Sequence, residues 1–390
     1  MKFIKSFFKI VRNWYFNRTV SNYYGTNFKK NVLISYITLP FYKNYVSHTN
    51  SFEALTAAKI FNELGYNVDI LFYKNKINDL KKYDVIYGFG DVFEQVVKKN
   101  LNPTLIYYGT GMHVCHQNMK TLERMHDVHQ KKDVWLPKSM RYVRESWSYQ
   151  TTIAHAIIAL GNEVCEKSYR KHTDISKIYS LRAPYFHTIK NNLIYERKES
   201  SKNKFLWFGS SGLIHKGLDL CLEYFKLNKT VELHICGNIL SEPDFVKVYY
   251  EELYRTKNIF TYGFIDINSE KFKEILLTCS FIIFPSCSEG GSPSVVTCVG
   301  NGGLIPIVTK ETSFSTGYEI IIDNYSLKGI EDAIHSVTSL NFEKIKALQE
   351  YNQQFVLKNN SQDKYLKDMR MIINNIIEPT MDGCANVSNL

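Results

Sequence analysis

Residues 281–295 read FIIFPSCSEGGSPSV, and the order of residue types in that stretch decides the fold. Phe281–Phe284 is a short apolar run with no polar alternation, the pattern of a strand buried on both faces of a parallel sheet. Pro285-Ser286 ends it, and the paired Gly290-Gly291 lets a ligand approach the backbone. Ser292 is a helix-capping residue, Pro293 suits the first turn, and an apolar run opens at Val295. Strand, glycine loop and helix start together mark the carboxyl end of a strand in an open α/β sheet, where such sheets bind ligands. Unpaired N–H groups and the positive end of the helix dipole make this an anion site, suited to a diphosphate. Glu289 lies just outside it, where a carboxylate accepts hydrogen bonds from sugar hydroxyls.

Outward from this stretch the same grammar repeats. Strands are expected at Phe205–Phe208, Val231–Cys236, Ile259–Tyr262 and Leu304–Val308, separated by helices at Leu218–Phe225, Asp244–Tyr254 and Glu270–Thr278. Three more strand ends carry glycine: Gly209-Ser210-Ser211-Gly212, Cys236-Gly237-Asn238 and Tyr262-Gly263-Phe264. Lys216, on the loop facing Glu289, adds a point charge for the same phosphates. The first half alternates likewise, with strands at Asn31–Leu39, Val68–Tyr73, Val85–Gly88, Thr104–Tyr108 and Ala156–Ala159. The polar stretch from His187 to Lys204 reads as a linker, and helices around Ile330–Thr338 and Phe342–Met371 close the chain. The expected class is α/β, with two doubly wound Rossmann-like domains facing a cleft. The boundaries read as 1–30, a basic amphipathic segment; 31–190 and 191–342, the two domains; 343–378, a helical segment packing back towards the first; and 379–390, a tail.

Charge is concentrated at one end. Of a formal +10, residues 1–30 carry +7, and no acidic residue precedes Glu53. On a helix, Phe3, Phe7, Val11 and Trp14 share one face while Lys2, Lys5, Lys9 and Arg12 line another. That is the pattern of a helix lying on an anionic membrane surface, or of a helix packed on its own domain with a solvated basic face. The rest of the chain is nearly balanced, so a nucleic-acid partner is not expected. Eight cysteines without a Cys-x-x-Cys pair fit a reducing cytoplasm, and no apolar run approaches a bilayer span.

The second half resembles the GT-B fold glycosyltransferases of the retaining group known as glycosyltransferase group 1, or family 4. Phe208-Gly209, six residues, then Lys216-Gly217 is similar to that group's Gly-Arg-…-Lys-Gly loop. Pro285-Ser286-x-x-Glu289-Gly290 is similar to its Pro-Ser-x-x-Glu-Gly element, and Gly302-Gly303-Leu304-Ile305-Pro306 to the Gly-x-Pro segment after it. Ala154-His155-Ala156-Ile157-Ile158 resembles an N-domain strand of the group more loosely. The resemblance implies transfer of a sugar from a nucleoside-diphosphate donor, here expected to be a UDP-sugar, with retention and no metal or other cofactor. The donor would lie on the C-terminal domain and the acceptor on the N-terminal one. By carry-over, Lys216 with Ser210 or Ser211 would hold the diphosphate beside the backbone of Gly291, Ser292 and Ser294. Gly237 and Phe264 would flank the base, and Glu289 would hold the donor sugar.

Three positions depart from the pattern. Ser210 stands where the group has arginine, and Thr297 where its Glu-x7-Glu spacing has a second glutamate, which leaves only a hydroxyl for the ribose. Tyr108-Gly109-Thr110-Gly111 lacks the group's histidine, for which His113 or His116 would substitute in the cleft. His113-x-x-His116 and His126-x-x-His129 invite a metal reading, but their surroundings favour a cleft-lining helix. Gly88-Phe89-Gly90 is too weak a match for a dinucleotide fingerprint. Arg141 and Arg144 lie among Trp135, Tyr142 and Trp147, a composition suited to an acceptor or to a surface helix. The expected function is a cytoplasmic glycosyltransferase, peripheral at the inner face of the membrane, that extends a lipid-linked or cell-surface glycan. The alternatives are a nucleotide-sugar epimerase of the same fold and a non-catalytic glycan-binding scaffold.

Overall fold

The structure, a computed structural model, describes residues 16–42 and 48–378. Two six-stranded sheets account for its strands, and every pairing within them is parallel. The first holds β1 (Lys30–Tyr36), β2 (Tyr66–Phe72), β3 (Val85–Gly88), β4 (Thr104–Gly109), β5 (Ala156–Leu160) and β6 (Ile178–Leu181). Its spatial order is β2-β1-β3-β4-β5-β6. The second holds β7 (Lys204–Phe208), β8 (Glu232–Cys236), β9 (Ile259–Gly263), β10 (Phe281–Phe284), β11 (Ile305–Val308) and β12 (Ile320–Ile321). Its order, β12-β11-β10-β7-β8-β9, places the reversal of winding between β7 and β10. A doubly wound sheet opens a crevice at that point, because the crossovers on either side lead to opposite faces. The loops after β7 and β10 carry Lys216 and Glu289, so topology alone brings these two residues together.

The longer helices are α1 (Thr49–Glu63), α2 (Asp91–Lys98), α3 (Val114–Lys132), α4 (Glu163–Arg170), α5 (Leu218–Leu227), α6 (Glu270–Thr278), α7 (Pro293–Gly302), α8 (Leu327–Thr338), α9 (Phe342–Asn359) and α10 (Gln362–Ile377). Helices cover both faces of the first sheet, and side-chain alternation sorts its strands between two cores. Val32 and Ile34 join Ala54, Phe61 and Met369 on one face, while Leu33 joins Phe93, Cys165 and Tyr169 on the other. The second sheet has one large core, and all four residues of β10 are buried in it. Met125 and Val128 of α3 belong to that second core although α3 follows β4, so this helix bridges the sheets.

Several expectations need correction. His187–Lys204 is not a loose linker. Leu193 and Ile194 are fully buried, and Arg197 donates to Gln349 Oε1 and to the carbonyls of Leu276 and Gly302 near the ends of α6 and α7. Those carbonyls have no intrahelical partner, and a guanidinium satisfies them from one side chain. The single helix expected at Phe342–Met371 breaks at Asn360-Ser361, where Ser361 caps α10 and Asn360 donates to Ala183 O. Beyond the break, α10 packs Tyr365, Met369 and Ile373 onto the first sheet. The basic face expected within residues 1–15 lies outside the described residues. Residues 16–29 run along the edge of β2, where Val20 and Ile70 exchange backbone hydrogen bonds of 2.9 and 2.8 Å. That contact covers an edge strand that would otherwise present unpaired backbone groups. No described helix is long and apolar enough to cross a membrane.

Candidate active site

The loop after β7 folds into a tight turn in which Lys216 N donates to Gly212 O and Leu218 N to Leu213 O. Its amides at Gly212 and Leu213 both donate to the Glu242 carboxylate, from the segment after β8. Glu242, which the sequence reading missed, therefore takes two donors that a phosphate would otherwise use. Lys216 is buried and its Nζ donates to Ser210 Oγ at 2.8 Å; Ser210 and Ser211 themselves are exposed.

The loop after β10 presents Glu289. Its Oε1 lies 3.1 Å from Arg141 NH1, 3.8 Å from Lys216 Nζ and 3.3 Å from Ser286 Oγ. Burial pushes the Glu289 carboxyl up, but the charges of Lys216 and Arg141 and the Ser286 hydroxyl outweigh it, and the group titrates below its ordinary value. Burial pulls the Lys216 ammonium down to about 8 against the opposing pull of Glu289, which keeps it charged at neutral pH. His215 is pushed down to about 3 by burial and by Arg141, and is neutral. Its Nε2–H donates to Ser288 O at 2.5 Å, which leaves Nδ1 to accept from the Thr121 hydroxyl of α3 at 2.9 Å. A hydrogen-bonded chain thus runs from the bridging helix to the loop that carries Glu289.

The start of α7 is built differently from expectation. Ser292 has φ +43°, and its hydroxyl donates to Thr312 O instead of capping the helix. Pro293 does occupy the first turn. The Ser292 carbonyl accepts from the Val295 and Val296 amides, whereas the amides of Gly290, Gly291 and Ser294 have no acceptor among the described residues. Gly290 is needed here because a Cβ would sit 2.4 Å from Thr110 O, on the turn after β4. The two sheets' loops thereby meet backbone to backbone beside Glu289. Gly237 and Thr297 are buried, and Phe264 is 78% exposed beyond β9. Lys216, Ser210 and Glu289 are joined by direct contacts; Phe264 is not part of that cluster.

His113 is not placed as a cleft residue. It is 2% exposed and caps α3 by accepting from Cys115 N, while its Nε2 meets Thr151 Oγ1 at 3.0 Å. Its ring stacks on His172 at 4.3 Å, and burial followed by His172 pushes it down to about 4. Donor atoms of His113, Cys115 and His172 lie within 4.8 Å of one another, but each ring nitrogen of His113 already has a hydrogen-bond partner, one of which a cation would have to displace. What faces the cleft from the first sheet is a cavity of about 720 Å³, lined by Tyr73, Phe89, Thr110, Gln117, Arg141 and Trp147 among others. Arg141 belongs to this cavity and to the Glu289 cluster alike, and so joins them.

No known protein family matches the chain, and no curated protein matches it in sequence. Solved structures do match over nearly its whole length. A glycosyltransferase from Rickettsia africae is 13% identical, with 90% of this chain and 100% of that one covered, at a TM-score of 0.56. HepE of Anabaena, in complex with UDP and glucose, is 11% identical over 89% of this chain and 100% of its own, also at 0.56. Sucrose-phosphate synthase from Thermosynechococcus elongatus is 9% identical over 89% and 99%, at 0.59. At such identities the likeness establishes architecture, and the architecture is GT-B: two Rossmann-like domains whose sheets face a shared cleft.

Proposed function

We propose that this chain is a glycosyltransferase that moves a sugar from a nucleoside-diphosphate donor, a UDP-sugar, to a hydroxyl of a lipid-linked or cell-surface glycan. The observation that carries this reading is the convergence of buried Lys216 and Glu289 at the winding reversal of the second sheet, opposite the aromatic-lined cavity of the first. HepE, similar in fold, is known in complex with UDP and with UDP-glucose, which supports a donor of that class here.

In this reading the acceptor oxygen bonds to the anomeric carbon as the bond from that carbon to the diphosphate oxygen breaks. The diphosphate leaves with the electron pair and takes up the acceptor proton, on the face it departs from, which retains configuration. Lys216 and the amides of Gly290, Gly291 and Ser294 stabilise the departing charge. Glu289, held ionised, accepts hydrogen bonds from the donor sugar and orients it. Gly237, Thr297 and Phe264 are assigned to the nucleoside, and Lys216 supplies charge that a divalent cation would otherwise bring. Within the basic segment 1–30, the part before residue 16 would hold the enzyme on an anionic membrane surface at the inner face of the cell membrane, since residues 16–29 run along the edge of β2.

The test is a panel of nucleotide sugars offered with and without glycan acceptors, read as released nucleoside diphosphate and as glycosylated product. Glu289→Gln and Lys216→Gln are each expected to lower turnover by about 10²- to 10³-fold, the scale on which a single preorganised group acts. Turnover of both variants within threefold of the parent would end the reading, as would product formed from the donor alone.

A further inference from the structure

Two cations, Arg141 and Lys216, converge on one oxygen of one carboxylate. Together they bring two positive charges to the one carboxylate of Glu289, while Glu242 is held by the loop amides of Gly212 and Leu213 and His215 is neutral. Arg141 reaches it from the far side of the cleft, on the segment between α3 and β5. That segment is anchored at both ends of its crossing. Lys138 N and Ser139 Oγ bind the Asp244 carboxylate at 2.7 and 2.8 Å on the second domain. Val143 exchanges two hydrogen bonds with the Asn118 side chain of α3. Between these anchors the Arg141 stem lies against Gly212, in the loop that carries Ser210 and Lys216, where an added Cβ would be 3.1 Å from Arg141 Cδ.

We propose that Arg141 is the second cation of the donor diphosphate site, delivered across the cleft from the first domain. Its guanidinium leaves Glu289 for the diphosphate oxygens when the donor enters, and Glu289 is thereby freed for the donor sugar. The planar fork of a guanidinium suits a diphosphate, because two of its N–H groups reach two oxygens at once. Ser210, whose hydroxyl accepts from Lys216, cannot supply that charge. A donor bound this way is gripped by both domains, and the acceptor cavity that Arg141 also lines is completed only once the exchange has occurred.

This inference rests on the glycosyltransferase reading, and calorimetric titration separates the two. The parent protein is titrated with UDP, GDP and ADP, and the one that binds is compared with its nucleoside on Arg141→Gln and Arg141→Lys. Loss of a charge-assisted bidentate contact should weaken the diphosphate about 10- to 100-fold in Arg141→Gln and leave the nucleoside unchanged. Arg141→Lys should fall between, since an ammonium keeps the charge but not the fork. Diphosphate binding by Arg141→Gln within twofold of the parent overturns the inference while leaving the enzyme reading intact. Equal weakening of nucleoside and diphosphate also overturns it, because a damaged pocket gives that result. A parent protein that binds no nucleoside diphosphate removes both.

Discussion

Arg124 of α3 and Asp219 of α5 form an ion pair of 2.5 Å between NH2 and Oδ2, with side chains only 2% and 1% exposed. The pair joins the bridging helix to the second domain. At an effective dielectric constant of about 20, charges this close attract by about 7 kcal/mol, while desolvation costs several kcal/mol for each ion. The pairing is also incomplete, because Arg124 Nε and Asp219 Oδ1 have no partner among the described residues. The intact pair therefore contributes little net stability, yet removing one partner strands a buried charge. Asp219→Asn should cost about 3 kcal/mol, the lower end of the usual 3–5, because Arg124 NH1 keeps Asp127 Oδ2 at 2.8 Å. Replacing both residues with apolar ones of similar volume, Arg124→Met with Asp219→Leu, should restore stability to within about 1 kcal/mol of the parent. Urea unfolding followed by tryptophan fluorescence and by circular dichroism measures both variants. An Asp219→Asn cost below about 1 kcal/mol would refute the burial argument. A double variant no more stable than the single one would show that the pair itself stabilises the joint.

Two further outcomes are expected. Glu53 is 3% exposed, and its Oε2 accepts from Tyr36 OH at 3.1 Å and Tyr108 OH at 2.9 Å. Burial pushes its carboxyl from 4.5 up to about 7, so the native state binds the extra proton and stability falls as pH rises through that window, by about 3 kcal/mol in all. Glu53→Gln should remove that slope. Comparison of the two proteins cancels the opposite trend from His113 and His215, whose depressed values cost stability only as pH falls below 6.5; parallel pH curves for parent and variant would contradict it. Removing residues 1–15 should abolish cosedimentation with vesicles containing anionic lipid and leave donor turnover in solution unchanged, and cosedimentation that survives would place the membrane contact elsewhere.

The second domain was legible because its signals are local. Each strand from β7 to β10 ends at a glycine or proline (Gly209, Gly237, Gly263, Pro285), and the positions of Lys216 and Glu289 follow from where such runs end. β6 escaped because Ile178–Leu181 is followed by Arg182-Ala183-Pro184, with no glycine to mark its end, and a two-residue strand such as β12 carries no pattern at all. His187–Lys204 misled for a related reason. Its composition is polar, yet the fold buries Leu193 and Ile194 together with Arg197 and Ser201. Ser292 and His113 show the limit for single residues: each has the right chemistry for its expected role, but the Thr312 carbonyl takes the serine hydroxyl and the start of α3 takes the imidazole.

What no local pattern reveals is the joint between the domains. Arg141 with Glu289, Thr121 with His215 and Arg124 with Asp219 are each separated by about a hundred residues or more, and all three have one member on the α3 helix or the segment after it. The winding of a parallel sheet ensures only that loops after adjacent strands meet at a crevice; it says nothing of what another domain brings there. That contribution depends on how the chain from α3 to β5 crosses, and its residues follow neither helix nor strand periodicity across most of 134–149. Two proteins can therefore share this fold at about 10% identity while the groups that line their clefts differ. The fold fixes where Lys216 and Glu289 stand. The bridging segment decides which charges stand beside them, and substrate preference should therefore follow changes in residues 134–149 more closely than changes in either sheet.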